Sequence, residues 1–198
     1  MKRGALFGSA KDVTLIAAMS ATLIAAQYAL QMVAGVEIVT ALFSAYCFVF
    51  GVRRGLTVAT CFSMLRCFLY GFTLSVIALY LIYFNLFALV FGSLGKVTAK
   101  FSPRAKLICA AACAAVMTVC FTLLDDVLAP LIVGVRFWPY FYASLPVMGV
   151  QTVCALITVS LLFLPLGRAF GMLKGAHPQA DLHAEESCSE GADSEDER

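Results

Sequence analysis

Charge is what this sequence has least of. Only 13% of its 198 residues are Asp, Glu, Lys or Arg, against 62% hydrophobic, and the mean hydropathy is +0.91. A water-soluble domain of this size cannot hide so much apolar surface, so the composition points to a polytopic membrane protein. Histidine is scarce as well. His177 and His183 lie in or beside a polar C-terminal segment, which argues against a buried Ser-His or Cys-His nucleophile. Eight cysteines are present without a CxxC pair. Cys47, Cys61, Cys67, Cys109, Cys113, Cys120 and Cys154 fall in apolar runs, where a thiol serves as a small hydrophobe, and only Cys188 sits among polar residues. No metal site and no cofactor is expected.

Motifs for energy coupling and covalent chemistry are missing too. There is no GxxxxGK[ST] loop, so the chain is not expected to hydrolyse ATP, and neither HExxH nor GxSxG occurs. A transporter without its own engine needs a gradient or a partner. Neither catalysis nor a nucleic-acid partner is expected.

What the sequence does have is a series of apolar runs, beginning with AAMSATLIAAQYALQMVAGVEIVT from Ala17 to Thr40. Val13 to Val33 carries no charged side chain, and about twenty mostly apolar residues suffice for a helix to cross a hydrocarbon core. Ala17, Ala21 and Ala25 recur every fourth residue and so form one stripe, which lets another helix approach closely. Packing within the chain and docking onto a partner protein both fit such a stripe. Gln27 and Gln31 lie one turn apart on another face, better suited to a bundle interior than to lipid. The run is too long for a signal-peptide core and no small-residue cleavage site follows, so this span is expected to stay in the mature protein.

Further runs are Ile38–Val52, Leu56–Phe72, Val76–Gly95, Leu107–Leu124 and Phe141–Leu166. Glycine-bracketed Arg53-Arg54 reads as a turn, and the stretch holding Pro130, Gly134, Arg136 and Pro139 as irregular. If all six runs alternate across a membrane, eleven of the fourteen lysines and arginines fall on one side: Lys2, Arg3, Lys11, Arg53, Arg54, Lys96, Lys100, Arg104, Lys106, Arg168 and Lys174. The opposite loops carry only Arg136. Basic residues favour the cytoplasmic side, so the pattern predicts an all-α bundle of six transmembrane helices with both termini in the cytoplasm, multi-pass in the plasma membrane. The predicted organisation is a basic N-terminus at 1–12, a membrane domain at 13–168 and a polar, acidic, disordered cytoplasmic tail at 169–198.

Charged groups outside the basic turns are few: Glu37, Arg66, Asp125, Asp126 and Arg136. An ionisable group inside a membrane costs about 2.5–3.5 kcal/mol on insertion scales and is usually kept with a partner facing a cavity. Arg66 is therefore the most informative position, either paired with Glu37 from the loop after the first span or snorkelling toward the interface. Aromatic residues crowd the non-cytoplasmic ends, among them Tyr70, Tyr80, Tyr83, Trp138, Tyr140 and Tyr142. An interfacial belt accounts for much of this. With Asn85, Gln151 and Arg66 nearby, the same residues also suit an aromatic-lined pocket for a flat organic ligand.

Several segments carry a family resemblance. AAMSATLIA from Ala17, GVEIVT from Gly35, FGVRRG from Phe50, FSMLRCFLYGF from Phe62, LYLIYFNLFALVFGSLGK from Leu79, and FWPYFYASLPVMGVQ from Phe137 with LLFLPL ending at Leu166 resemble the substrate-binding S components of energy-coupling factor (ECF) transporters. The likeness covers roughly residues 13 to 168. It implies a six-helix protein that captures a vitamin or related micronutrient from outside and works with a transmembrane coupling subunit and two cytoplasmic ATPases. It further implies that Ala17, Ala21 and Ala25 dock on the coupling subunit and that Glu37 belongs to a lid. The candidate substrate-binding residues are then Glu37, Arg66, Tyr70, Tyr83, Asn85, Trp138 and Gln151. Two alternatives stand beside this reading: an integral-membrane enzyme using Asp125 and Asp126, and a self-contained, gradient-driven transporter or channel. Against the enzyme, adjacent aspartates at a helix end are expected to point in different directions.

Overall fold

The computed structural model describes residues 10–30 and 38–193, all arranged around six helices: α1 (Ala10–Leu30), α2 (Ile38–Phe50), α3 (Val52–Tyr70), α4 (Leu74–Val97), α5 (Pro103–Val133) and α6 (Phe137–Asp193). No strand occurs among the described residues. Four of the helices, α1, α4, α5 and the part of α6 from Phe137 to Lys174, are long and apolar enough to cross a membrane. The protein is thus an all-helical chain with the character of a membrane protein. Of the other two, α2 has only 13 residues, and α3 carries Arg53, Arg54 and Arg66.

Helix boundaries follow local chemistry. A single residue, Gly51, separates α2 from α3 by adopting φ 83°, a conformation that side chains with a Cβ rarely tolerate. Arg53 and Arg54 therefore belong to the first turn of α3, and the basic turn expected between Gly51 and Gly55 is one glycine long. Ser102 caps α5, its hydroxyl accepting from the Ala105 amide at 3.3 Å, and Pro103 occupies the first turn where no amide proton is needed. At the other end Gly134 (φ 79°) closes α5, its N–H donating to the Pro130 carbonyl at 2.9 Å.

That late stop corrects the expected end of the fifth run at Leu124. Asp125, Asp126 and Pro130 all lie inside α5, and α6 begins at Phe137, four residues earlier than expected. Pro139 falls in the first turn of α6, where a missing N–H costs nothing. The acidic stretch beyond His177, which composition predicts to be disordered, continues the backbone helix as far as Asp193.

α2 is the core. It is apolar all round and buries Ala41, Phe43, Ala45, Tyr46, Cys47 and Phe50, as a helix surrounded by others must. It touches each of the other five helices, while neighbours around it meet as α1·α3, α3·α4, α4·α5 and α5·α6. Stacked rings tie it in: Phe43 on Phe87 at 5.5 Å, and Tyr46 edge-on to Phe170 at 5.9 Å.

The closest approach is backbone to backbone. A Cβ on Gly92 of α4 would lie 2.6 Å from the Val52 nitrogen, and one on Gly95 would strike the Phe48 carbonyl oxygen. The end of α4 thus rests directly on the α2–α3 junction. Nearby, Arg54 pairs with Asp12 at 2.7 Å, and the Lys174 ammonium donates to the Val49 carbonyl at 2.8 Å. At the opposite end the Gln27 amide reaches the Tyr80 hydroxyl at 3.5 Å, so this face of α1 does turn inward. Gly95→Val is expected to lower the apparent melting temperature in mild detergent sharply, since overpacking costs roughly 1–3 kcal/mol. Gly149→Ala, where a Cβ meets open space, is expected to match or exceed the parent in the same melt; equal melting for both variants would contradict the close approach.

Candidate functional site

α5 and α6 form an antiparallel hairpin across the three residues 134–136. Between them, about one to four turns from the connection, lies a cavity of about 280 Å³. Phe121, Thr122 and Asp125 line it from α5, and Tyr140, Ala143, Ser144, Val147 and Gln151 from α6. The α6 residues recur every three or four positions and so occupy one helix face.

Both aspartates meet that face. The Tyr140 hydroxyl donates to Asp125 Oδ2 at 2.8 Å. Ser144 Oγ stands 2.8 Å from Asp126 Oδ2 and 2.9 Å from the Phe141 carbonyl, so its one proton is shared between two acceptors. Asp126 is 1% exposed and its other oxygen, Oδ1, has no hydrogen-bond partner. Neighbouring aspartates on a helix leave the axis about 100° apart, yet α6 is broad enough to engage both through side chains one turn apart. The two do point in different directions, as expected, but each finds a hydroxyl partner on α6. Pro130 adds a local effect: it has no N–H to offer the carbonyl of Asp126, four residues before it.

Phe121 forms the wall between this cavity and an aromatic cluster on α4, with ring centroids 4.7 Å from Tyr83 and 5.8 Å from Tyr80. On the far side of Tyr80 the Arg66 guanidinium lies over the ring at 3.6 Å, a distance at which the ring quadrupole attracts the cation. Among the described residues no three of His, Cys, Asp and Glu come together as a group able to hold a metal ion.

No family model, curated protein or solved structure matches the chain. Function is therefore read from geometry.

The residues singled out in the sequence take up several different environments. Gln151 lines the cavity. Tyr83 is buried behind Phe121, packed against Phe84 and Phe87. Asn85 ties α3 to α4 instead: its amide donates to the Leu81 carbonyl at 2.8 Å and its oxygen accepts from the Thr60 hydroxyl at 3.3 Å. Trp138 is 63% exposed on the outside of α6, stacked on Tyr142, as an interfacial anchor would be. Tyr70 is the last residue of α3, and its side chain, like the whole of Glu37, lies outside the described residues.

Sequence reasoning did not name Phe121, Thr122, Ala143, Ser144 or Val147 as pocket residues, it offered Tyr140 only as one of the crowded aromatics, and it considered Asp125 only as an enzymatic group. A signal was available: hydroxyl residues at 140 and 144, one helical turn apart, face an acidic pair across a glycine turn. Removing the Ser144 hydroxyl leaves Asp126 buried with neither oxygen hydrogen-bonded. Ser144→Ala is therefore expected to lose about 1–3 kcal/mol and several degrees of apparent melting temperature in detergent, whereas Trp138→Phe is expected to melt as the parent does.

Proposed function

We propose that this chain is the substrate-specific S component of an ECF-type importer, capturing a vitamin or related micronutrient outside the cell and delivering it with a coupling subunit and two ATPases. The observation that carries the reading is the direction of the α1 stripe. Ala17, Ala21 and Ala25 are all exposed, on the side of α1 opposite to buried Ile16, Met19 and Leu23. Among the described residues, packing inside the chain, the competing use of such a stripe, does not occupy it. In a membrane, a face of small residues favours close helix contact with another protein.

The charge distribution agrees with six crossings. One end of the bundle gathers Asp12, Arg54, Lys174 and the close of α4 at Lys96, while the other gathers Gln27, Arg66, Tyr80, Asp125 and Tyr140. On this reading the basic end faces the cytoplasm, in keeping with the positive-inside preference, and the cavity opens toward the outside of the plasma membrane. α2 is too short to cross alone, at about 20 Å for 13 residues, but it is enclosed by longer helices. The arginines of α3 sit in its first turn and near its end, where they can reach the interface.

The two carboxylates with hydroxyl partners also support a second reading, a membrane enzyme with Asp125 and Asp126 as acid and base. Metal-dependent turnover abolished by Asp125→Asn would favour it.

The deciding experiment is co-expression with a coupling subunit and its ATPases. Ala17→Phe combined with Ala21→Phe is expected to abolish complex assembly and uptake while the isolated protein still carries a small molecule, seen by native mass spectrometry followed by denaturation. Assembly and uptake that both survive the double substitution would refute docking through α1.

A further inference from the structure

We propose that the α5–α6 cavity takes a small organic cation, a ring-bearing amine or amidine, with Asp125 as its counter-ion. The proposal rests on the reading of this cavity as the substrate site and names the chemical class of that substrate.

Charge balance is the first argument. Asp125 and Asp126 are adjacent, and among the described residues neither has a lysine or arginine within 4.0 Å; the ion pair that is present joins Arg54 and Asp12 at the other end of the bundle. Arg136, two residues past the αL turn, is exposed and forms no such pair. Two neighbouring carboxylates within an apolar helix long enough to cross a membrane call for a compensating positive charge, and no described side chain supplies one within 4.0 Å.

Proton bookkeeping is the second. The Tyr140 proton is committed to Asp125, and the Ser144 proton to Asp126 and the Phe141 carbonyl. What these hydroxyls can still offer a ligand is oxygen lone pairs. Asp125 presents further acceptor capacity, and directly behind Ser144 stands Asp126 with Oδ1 buried and unpartnered. Gln151 is the one amide in the lining and can serve either way. A cavity whose polar groups mostly accept selects a ligand that donates.

Shape and lining are the third. Phe121, Ala143 and Val147 give apolar wall, and Phe121 and Tyr140 give ring faces that attract a cation. A bare metal ion makes little use of such walls. A volume of about 280 Å³ suits one ring with its substituents.

The test is isothermal titration calorimetry of the full-length protein in mild detergent at neutral pH with three probes of one shape: benzamidine, a cation; benzamide, its neutral counterpart; and benzoate, an anion. Benzamidine is expected to bind about tenfold or more tightly than benzamide, the usual worth of a charge-assisted hydrogen bond, and benzoate most weakly. Asp125→Asn is expected to remove that preference. The ranking on the unsubstituted protein stands even if the variant folds poorly. Benzamide or benzoate binding as well as benzamidine would overturn the cation while leaving a small-molecule site in place. Displacement of benzamidine by micromolar Ca²⁺ would also overturn it, assigning the carboxylates to a metal. Failure of all three probes would overturn it as well, and the assembly experiment on α1 would then decide the transport reading independently.

Discussion

The end of α4 meets the α2–α3 junction with no room for a side chain at Gly92 or Gly95, and that contact sets how closely α4 approaches the core helix α2. Held there, α2 presents Phe43 to Phe84 and Phe87 of α4 on one side, and Tyr46 and Phe48 to Phe170 and Phe163 of α6 on another. A helix with no polar face can be buried in this way only if each neighbour brings it apolar surface. α5 scarcely reaches α2 and is placed instead by α4 and α6. α5 thus packs mainly on α4 and α6, and the cavity lies along its seam with α6.

Within that gap the aspartates owe their position to how α5 ends. Had the helix stopped at Leu124, as the apolar run does, both carboxylates would have fallen in a loop. Two further turns, closed by the left-handed Gly134, carry them into the helix and opposite α6. Pro130 does not prevent this. It lies one turn from the end, where the loss of a single helix bond is tolerated, and the bond lost is the one to the Asp126 carbonyl. The same short connection sets the register of the hairpin, so that Tyr140 meets Asp125 and Ser144 meets Asp126.

Much of the fold was legible in the sequence because membrane-type helices advertise themselves by length and apolarity. The runs anticipated α1, α4 and most of α5, and the alanine spacing anticipated a single stripe on α1. Boundaries were less legible wherever helix continues through polar residues, as at Asp125-Asp126 and Arg53-Arg54, since composition does not show a backbone that keeps its hydrogen bonds. Of the residues lining the cavity, the sequence singled out Gln151 and, among the crowded aromatics, Tyr140. The bond of Asn85 to Thr60, 25 positions away, was not legible, because it depends on the pairing of α3 with α4. Trp138 poses the same difficulty: an aromatic residue beside a pocket and one on the outer surface look alike until the helix face is known. Arg66 was expected to need a partner, and the ring it lies on, Tyr80, could have been proposed only after α3 and α4 were known to form a hairpin.

On the proposed reading, capture and docking occupy helices that do not touch. α1 packs on α2 and α3, the cavity lies between α5 and α6, and among the described residues no direct α1·α5 or α1·α6 contact joins them. Any influence of a bound ligand on docking must then pass through elements that meet both sides. α2 is one, since it contacts both α1 and α6. A second route runs through rings: Phe121 in the cavity wall touches Tyr80, and Tyr80 receives both Arg66 of α3 and Gln27 of α1. Contiguity alone does not establish coupling, which requires an element with two arrangements biased by both sites. Tyr80 is well placed to be one, because a ligand that displaces the Phe121 ring alters the packing of Tyr80. Gln27, which meets the Tyr80 hydroxyl from α1, lies half a turn past Ala25 and on the other face of the same helix. A shift of Tyr80 would therefore be felt by α1 on the face opposite the alanine stripe.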